Sequence, residues 1–491
     1  MQRNWYSWMV RVLAPAVLLG GIPLALGGPA PLQASGTHGP AYAWGTNTLG
    51  QLGNGATTDS TSPVAVNLPA GVTATALAAG ASHSLAVGSD GKAYAWGSNF
   101  NGQLGDGTGN NSSTPVVVQL PSGVTATAVA AGCCHSLALG SDGNVYASGS
   151  NSNGQLGDGT TNGSNSPVAV HLPSGVRATA IAAGDDHSLA IGSDGHVYAW
   201  GYNSNGQLGN RTTTDSDLPV QVSLPAGVTP IAIAAGDGHS LAIGSNGKLY
   251  AWGWNGSGQL GNGSIINNSD LPVQVSLPAA VTPTAVAGEV GSSLALGSNG
   301  KVYSWGANDH GQLGNSNPAD SNVPVLVDLP VGATAIGAGQ AHGLAIGSNG
   351  KLYAWGLNDN GQLGVYTGNN DNPTPVVAGI PSGTTPLALG TGPIAYHSLA
   401  ILSGSGPTAA LVSRFRVAHT GHGVAFHWQV ASNSGILGFS LTAGTRNLNR
   451  TLIPVHAGSQ IYHYASRVRV SGSYTLHVVL RDGGSIAIAG W

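Results

Sequence analysis

The chain has 491 residues with a formal net charge of -4, and 78 of its residues are glycine while only 7% are charged. This composition would suit a low-complexity segment, but 41% of the residues are hydrophobic and the glycines recur at fixed places, which excludes general disorder. A single core rarely reaches this length, whereas an array of repeated units with only neighbour contacts can.

The N-terminal segment carries Arg3 and Arg11 and then an apolar run over residues 12–26, with small residues near Ala34. This order is typical of a secretory signal peptide, which we expect over residues 1–34, followed by a linker over 35–40. The alternative is an uncleaved N-terminal membrane anchor, although Pro15 and Pro23 make the run a poor permanent span. Under either interpretation the rest of the chain is secreted or associated with the cell wall.

A fifteen-residue element over 239–253 reads His-Ser-Leu-Ala-Ile-Gly-Ser-Asn-Gly-Lys-Leu-Tyr-Ala-Trp-Gly, and close copies of it run through the chain. Two short apolar runs separated by Asn-Gly predict a β-hairpin with a two-residue turn. The tyrosines of the copies are spaced by 52, 52, 52, 52, 53 and 50 residues, which indicates an internal repeat. They are Tyr42, Tyr94, Tyr146, Tyr198, Tyr250, Tyr303 and Tyr353.

Seven units therefore occupy residues 41–402, and each supplies four short strands without helical periodicity. This pattern predicts an all-β chain with a seven-bladed β-propeller. The first aromatic run, 42–44, has no preceding partner, and the last His-Ser-Leu-Ala run, 397–401, has no following one. We expect these two runs to pair, because closing the ring removes both exposed edges.

The tetrapeptide Gly-Gln-Leu-Gly begins at 50, 102, 154, 206, 258, 311 and 361, between Tyr-x-Trp-Gly and Gly-x-x-His-Ser-Leu-Ala. The combined motif resembles the regulator of chromosome condensation repeat, which also implies a seven-bladed propeller. Similar bacterial propellers are secreted, one being a protein inhibitor of β-lactamase, and eukaryotic relatives include a nucleotide-exchange factor for a small GTPase. This chain departs from the motif at Ser148 for tryptophan, Ser292 for histidine, Gly343 for serine and an enlarged loop over 390–396.

The C-terminal region differs in charge, since residues 407–491 carry seven basic and one acidic side chain while 41–402 carry six and eighteen. After a linker over 403–410, strand-like runs separated by Gly, Asn and Ser predict a small β-sandwich over 411–491. The stretch from His427 to Ser432 resembles fibronectin type III-like modules. A module with net charge +6 could bind an anionic wall polymer, nucleic acid or the acidic propeller, or could be a solvated spacer.

The sequence contains no recognisable catalytic, metal or cofactor motif. The repeated histidines lie on different blades, whereas zinc ligands must surround one ion, so a structural role is expected. Asp90, Asp142 and Asp194 precede glycines in turns that later units fill with asparagine, which indicates turn chemistry and not calcium binding. The adjacent Cys133 and Cys134 have no zinc-site spacing, and Glu289 is the sole glutamate. We expect a non-enzymatic protein without cofactor or metal.

The candidate binding face follows from the hairpin, because residues before its first strand lie beside those after its second. We therefore expect Asp185 and Asp186 to neighbour Tyr202, and Asp237 to neighbour Trp254. Variable acidic and aromatic positions thus meet there, and large aromatics dominate protein-binding surfaces. The predicted partner-binding residues are Asp185, Asp186, Tyr202, Asp237, Trp254 and, at the rim, Tyr396. The sequence predicts a monomeric scaffold for a protein or glycan, with nucleic acid disfavoured. The alternatives are nucleotide exchange on a small GTPase and an extracellular propeller enzyme acting on polysaccharide.

Overall fold

The computed structural model describes residues 38–403, apart from 367, 369 and 391, and several strands between 412 and 490. The predicted signal peptide, residues 35–37 of the first linker and residues 404–410 of the second linker lie outside the described residues.

Seven four-stranded antiparallel sheets succeed one another along residues 41–402. The innermost strands are Ala74–Ala79, Ala126–Ala131, Ala178–Ala183, Pro230–Ala235, Pro283–Gly288, Ala333–Ala338 and Pro386–Gly390, for blades 1 to 7. The second strands are His83–Gly88, His135–Gly140, His187–Gly192, His239–Gly244, Ser292–Gly297, His342–Gly347 and His397–Leu402. The third are Ala93–Gly97, Val145–Gly149, Val197–Gly201, Leu249–Gly253, Val302–Gly306, Leu352–Gly356 and, for blade 7, Ala41–Gly45. The outermost are Ser112–Val117, Ser164–Ala169, Ser216–Gln221, Ser269–Gln274, Ser321–Leu326, Asn372–Val377 and, for blade 7, Ser60–Ala65.

Blade 7 joins the two ends of the repeat array, as predicted. Its strand Ala41–Gly45 pairs with His397–Leu402, with Tyr42 opposite Ala400 and Trp44 opposite Ser398. The innermost strands line a central channel with small apolar side chains such as Ala130, Ala182 and Ala234. The all-β seven-bladed propeller is thereby confirmed.

The hairpin turn differs from the predicted two-residue turn. Gly244 N donates to Lys248 O at 2.9 Å, so three residues form the loop. Gly247 has a φ of 71°, while Asn246 is not among the residues with positive φ. A two-residue type I′ turn needs positive φ at both central residues, and Asn246 does not have it. The chain instead reverses direction through a three-residue loop in which the third residue, Gly247, has the positive φ.

Polar contacts between neighbouring blades explain the repeated motif. The carbonyl oxygen of Gln207 in blade 3 accepts from Trp252 Nε1 and from Ser240 Oγ in blade 4, at 2.8 and 2.9 Å. A Cβ on Gly209 would lie 2.7 Å from the Trp252 Nε1, so glycine lets the indole approach. In the same way, a histidine of one blade contacts a serine of the next, as His187 Nε2 and Ser240 Oγ do at 2.9 Å.

This histidine–serine contact, which we call the latch, is present at six blade junctions of the described propeller. The pairs are His83–Ser136, His135–Ser188, His187–Ser240, His239–Ser293, His342–Ser398 and His397–Ser84. The predicted structural role of these histidines agrees with their burial.

The junction between blades 5 and 6 has a different arrangement. Its latch positions are Ser292 and Gly343, so both partners are replaced together. Ser292 Oγ instead donates to Oε2 of the fully buried Glu289, and a Cβ on Gly343 would collide with the Trp355 indole. Burial raises the pKa of Glu289 to about 8, so the carboxyl group is largely protonated at neutral pH.

Ser148 occupies the tryptophan position of blade 2 and leaves a small cavity of about 10 Å³ at the junction with blade 1. The cavity is lined by Leu85, Val118, Leu137 and Ser148 among others. The motif's glycine, Gly105, is retained opposite the serine, so part of the space for an indole persists.

The C-terminal region contains the strands Val412–Thr420, Gly423–Val430, Ile436–Ala443, Arg446–Asn447, Ile453–Pro454, Ile461–Ser466, Tyr474–Leu480 and Ser485–Gly490. They form two antiparallel sheets, with Gly423–Val430 central in one and Ile436–Ala443 paired to Tyr474–Leu480 in the other. The buried rings of Trp428 and Phe439 belong to different sheets, and their centroids lie 5.2 Å apart. The strand-like runs that the sequence offers, 412–418, 424–430, 438–442, 461–464 and 474–480, coincide with observed strands. The strands Arg446–Asn447, Ile453–Pro454 and Ser485–Gly490 were not predicted.

Candidate functional site

The two faces of the propeller are built from different connections, because turns alternate between the ends of antiparallel strands. One face carries the turns between the first and second strands and the long loops between the third and fourth. We call it the loop face. The other, the hairpin face, carries the Ser-Asp/Asn-Gly turns and the links to the next blade.

The faces differ in formal charge. Connections of the loop face contain twelve acidic residues and one basic residue, Arg211, so their sum is -11. The acids are Asp59, Asp106, Asp158, Asp185, Asp186, Asp215, Asp237, Glu289, Asp309, Asp320, Asp359 and Asp371. Connections of the hairpin face contain four acidic and five basic residues, for a sum of +1. Glu289 is buried and largely protonated, and without its charge the sum for the loop face is still -10. The negative charge of the propeller is therefore concentrated on the face that carries the predicted site.

The predicted contact between Asp186 and Tyr202 is present, since Tyr202 N donates to Asp186 O at 2.9 Å. The predicted pairing of Asp237 with Trp254 is wrong by one residue, because Trp254 N donates to Gly238 O at 2.8 Å. The hairpin register sets His239 opposite Gly253, so the residue directly before the histidine meets the one after the glycine.

Asp237 instead lies beside Asp185 of blade 3, whose backbone N donates to Asp237 O at 3.3 Å. Burial, together with the nearby Asp237 carboxylate, raises the pKa of Asp185 to about 6. Burial likewise raises the pKa of Asp186 to about 6, with an added effect of Asp185, and raises that of Asp237. Three carboxyl groups thus lie together at the channel rim, and a cationic partner would favour their charged forms.

Trp254 is half-buried and packs on glycine. A Cβ on Gly256 would lie 2.8 Å from its Nε1, and one on Gly238 would lie 3.3 Å from its Cβ. The same long loop of blade 4 exposes Ile265 and Ile266, the latter at 85% of its surface. A loop that carries exposed apolar side chains and a partly exposed indole is typical of protein-binding surfaces.

Sequence reasoning missed Ile265 and Ile266, and also the exposed Phe100 and Tyr366 in the corresponding loops of blades 1 and 6. The sequence does contain one signal of an unusual loop here. Tyr250 and Tyr303 are 53 residues apart, whereas the preceding intervals are 52, so this unit has one additional residue.

Tyr396 belongs to blade 7, three blades along the ring from Tyr202. Its hydroxyl accepts from Gln340 Nε2 of blade 6 at 3.2 Å, and its carbonyl oxygen accepts from Thr46 N. The ring is exposed at 38% on the loop face. The structure thus places Tyr396 on the predicted face but on another arc of the rim than the carboxyl cluster.

Within the described residues, no group of three or more His, Cys, Asp or Glu side chains is arranged to hold a metal ion. The described part of the chain also contains no helix with the length and apolar character needed to cross a membrane.

The fold is a seven-bladed propeller whose loop face carries acidic and aromatic side chains. These features indicate the class of propellers that bind a partner. Residues 40–400 match the family model described as the RCC1-like domain, and the chain belongs to this family. It is 33% identical over 279 residues to the ultraviolet-B receptor UVR8 of Arabidopsis thaliana, covering 57% of this chain and 63% of the receptor. It is 32% identical over 287 residues to human E3 ubiquitin-protein ligase HERC2, covering 57% of this chain and 6% of the ligase.

The chain thus spans less than two thirds of the length of these curated relatives. Among solved structures, Prp20p of Saccharomyces cerevisiae matches with a TM-score of 0.67 and 25% identity, over 75% of this chain and 92% of that chain. That structure is described together with the binding of Prp20p to Gsp1p and histones. Human WBSCR16 matches with a TM-score of 0.67 at 23% identity, over 74% of this chain and its own whole length, which supports the fold alone.

Proposed function

We propose that this propeller is a non-catalytic scaffold, secreted or held at the cell surface, that binds a basic protein segment on its loop face. The observation that carries the proposal is the charge difference between the faces, -11 against +1. A surface of one sign attracts a partner of the opposite sign and accelerates its association.

The aromatic and aliphatic side chains favour a protein over a glycan as the partner. Trp254 and Tyr202 offer faces on which a lysine or arginine could stack, and Asp186 lies directly beside Tyr202. Ile266 adds apolar surface that a polar sugar would not cover. The extracellular location rests on the apolar N-terminal run and its flanking arginines.

We expect Trp254→Ala and Tyr202→Ala each to weaken partner binding by about 2 kcal/mol or more, because buried aromatic side chains dominate such interfaces. The partner is first isolated by pull-down from a cell-surface extract with the purified propeller, and affinities are then measured by calorimetry at two salt concentrations. Binding should weaken at higher salt.

Lys248→Ala is the matched control, since Lys248 belongs to blade 4 but lies on the hairpin face. It should bind as the unmodified protein does. Normal binding by both aromatic variants, with binding lost in the lysine variant, would move the site to the opposite face. Capture of polysaccharide in place of protein would favour the glycan alternative.

The match to Prp20p supports a second candidate, nucleotide exchange on a small GTPase. It is tested by measuring whether the propeller speeds release of labelled GDP from a purified GTPase. If the Trp254→Ala variant speeds GDP release as much as the unmodified protein does, this activity lies elsewhere on the propeller.

For the C-terminal region we propose a fibronectin type III-like sandwich, joined to the propeller by a linker over 403–410. The contact of Trp428 with Phe439 between two sheets supports it. Limited proteolysis should then release a stable propeller fragment that ends near residue 405.

A further inference from the structure

Cys133 and Cys134 occupy the turn between the first and second strands of blade 2, on the loop face. Both are free thiols, both are half-buried, and their Sγ atoms lie 2.8 Å apart. Backbone contacts fix the pair on both sides: Cys133 N donates to Asp185 O at 3.1 Å, and Cys134 O accepts from Ser150 N at 2.8 Å. The pair is therefore held at the edge of the carboxyl cluster.

We propose that Cys133 and Cys134 form a site of reversible oxidation, at which a low-molecular-weight disulfide converts the two thiols into a disulfide between adjacent residues. A disulfide bond is about 2.05 Å long, so the two sulfur atoms need to approach by less than about 1 Å. Their partial exposure lets a small oxidant reach them.

The first step uses Cys134 as the nucleophile. Its sulfur accepts a hydrogen bond from the Cys133 thiol, which lowers the pKa of Cys134 and favours its thiolate. The thiolate attacks one sulfur of the oxidant, the sulfur–sulfur bond of the oxidant breaks, and one thiolate leaves and takes up a proton from water. The product is a mixed disulfide on Cys134.

The second step closes the ring. Cys133 N donates to the carbonyl oxygen of Asp185, and the nearby Asp185 carboxylate can accept the proton of the Cys133 thiol. The Cys133 sulfur then attacks the Cys134 sulfur, the mixed disulfide breaks, and the second thiolate leaves with the proton held by Asp185. In total the pair loses two electrons and two protons, and the oxidant becomes two thiols.

The disulfide should be easily reduced. Consecutive Cα atoms are about 3.8 Å apart across a trans peptide, which is shorter than the roughly 4.4–6.8 Å usual between bridged cysteines. Such strained disulfides are the labile ones. Oxidation also removes the thiol beside Asp185 from the loop face. If the loop face binds a partner, as in the proposed function, this change alters the surface that the partner meets.

The full chain is incubated with oxidised glutathione at neutral pH, and the peptide that contains both cysteines is examined by mass spectrometry. We expect a mass lower by two hydrogen atoms, no retained glutathione, and full recovery of the thiols with dithiothreitol. Cys133→Ser should instead retain one glutathione on Cys134, because the second step cannot occur.

Asp185→Asn should slow release of the second glutathione roughly tenfold or more without slowing the first release, because only the second step uses the carboxylate as a base. Stable glutathione adducts on the unmodified chain, or two thiols that stay free, would overturn the proposal. The readout is independent of any binding partner, so it separates this proposal from the proposed function.

Discussion

The propeller is expected to unfold in acid, with its free energy of unfolding falling steeply as the pH drops below about 6.5. Burial lowers the pKa of the latch histidines to about 3 or 4: His83, His135, His187, His239, His342 and His397. In the unfolded chain the same imidazoles titrate near 6.5, so the unfolded state takes up protons that the native state excludes. The latch histidines therefore stabilise the fold fully above pH 6.5, and this stability is lost as the pH falls.

The expected effect is large. At pH 5.5 each histidine costs about 1.4 kcal/mol of stability, or about 8 kcal/mol for six, within a typical total of 5–15 kcal/mol. Raised carboxyl pKa values act in the opposite direction: Glu289 at about 8 and the partly exposed Asp185 and Asp186 at about 6. Because fewer carboxyl groups than histidines are involved, and two of them are partly solvated, the histidines decide the sign.

Urea unfolding followed by tryptophan fluorescence between pH 8 and 4 measures this dependence. A free energy of unfolding that stays constant from pH 7 to pH 4.5 would contradict it.

Glu289→Gln is the matched control for the opposing carboxyl effect. A carboxyl group whose pKa is raised on folding stabilises the native state below pH 4.5, and this stability is lost as the pH rises toward 8. Glutamine keeps the shape of the protonated acid without titrating. We expect the variant to exceed the unmodified protein by on the order of 3 kcal/mol at pH 7, with the difference disappearing below pH 5.

Trp252→Ser should destabilise the propeller by about 3–5 kcal/mol, the usual cost of removing a large buried aromatic side chain. Trp252 is fully buried, and its loss also removes the hydrogen bond to Gln207 O at 2.8 Å. Urea midpoints at pH 7.5 measure the difference.

Blade 2 provides the reverse experiment, because Ser148 already stands at the tryptophan position beside a small cavity. Ser148→Trp should destabilise the propeller by about 1–3 kcal/mol, because an indole is far larger than this cavity, although Gly105 and the Gln103 carbonyl oxygen are retained. A gain of stability in this variant would show that blades 1 and 2 still have room for the missing ring, and a neutral Trp252→Ser would refute the packing argument.

The fold was predictable because the motif repeats: Gly-Gln-Leu-Gly and Tyr-x-Trp-Gly gave the number of blades, and two unpartnered runs indicated the closing strand. The turn around Asn246 was mistaken because the same dipeptide suits loops of two or three residues. At the site, the sequence placed Asp186 beside Tyr202 as the structure does, but it mistook Asp237 for Gly238 as the neighbour of Trp254. Asp237 and Gly238 are adjacent, and both positions vary between repeats. The repeat pattern therefore does not show which of the two lies opposite Trp254.

Contacts between blades could not be predicted from the sequence, for a different reason. Ser292 and Gly343 are recognisable as two departures from the motif, yet nothing in a single sequence indicates that they face each other. The exposure of Ile266 is equally invisible, because loop conformation decides it.

The latch has a consequence for how such a ring can be altered by duplication or transplantation of repeats. Each latch takes its histidine from one blade and its serine from the next, so the unit that must be inherited intact is the junction and not the repeat. A transplanted blade 5 would bring Ser292 without Gly343, so the latch serine of the next blade would meet Ser292 in place of a histidine. Because the histidine and serine of one blade are consecutive residues, as His239 and Ser240 are, every graft joins host and donor residues at its two end junctions. A graft is compatible only where both end junctions still bring a histidine to a serine.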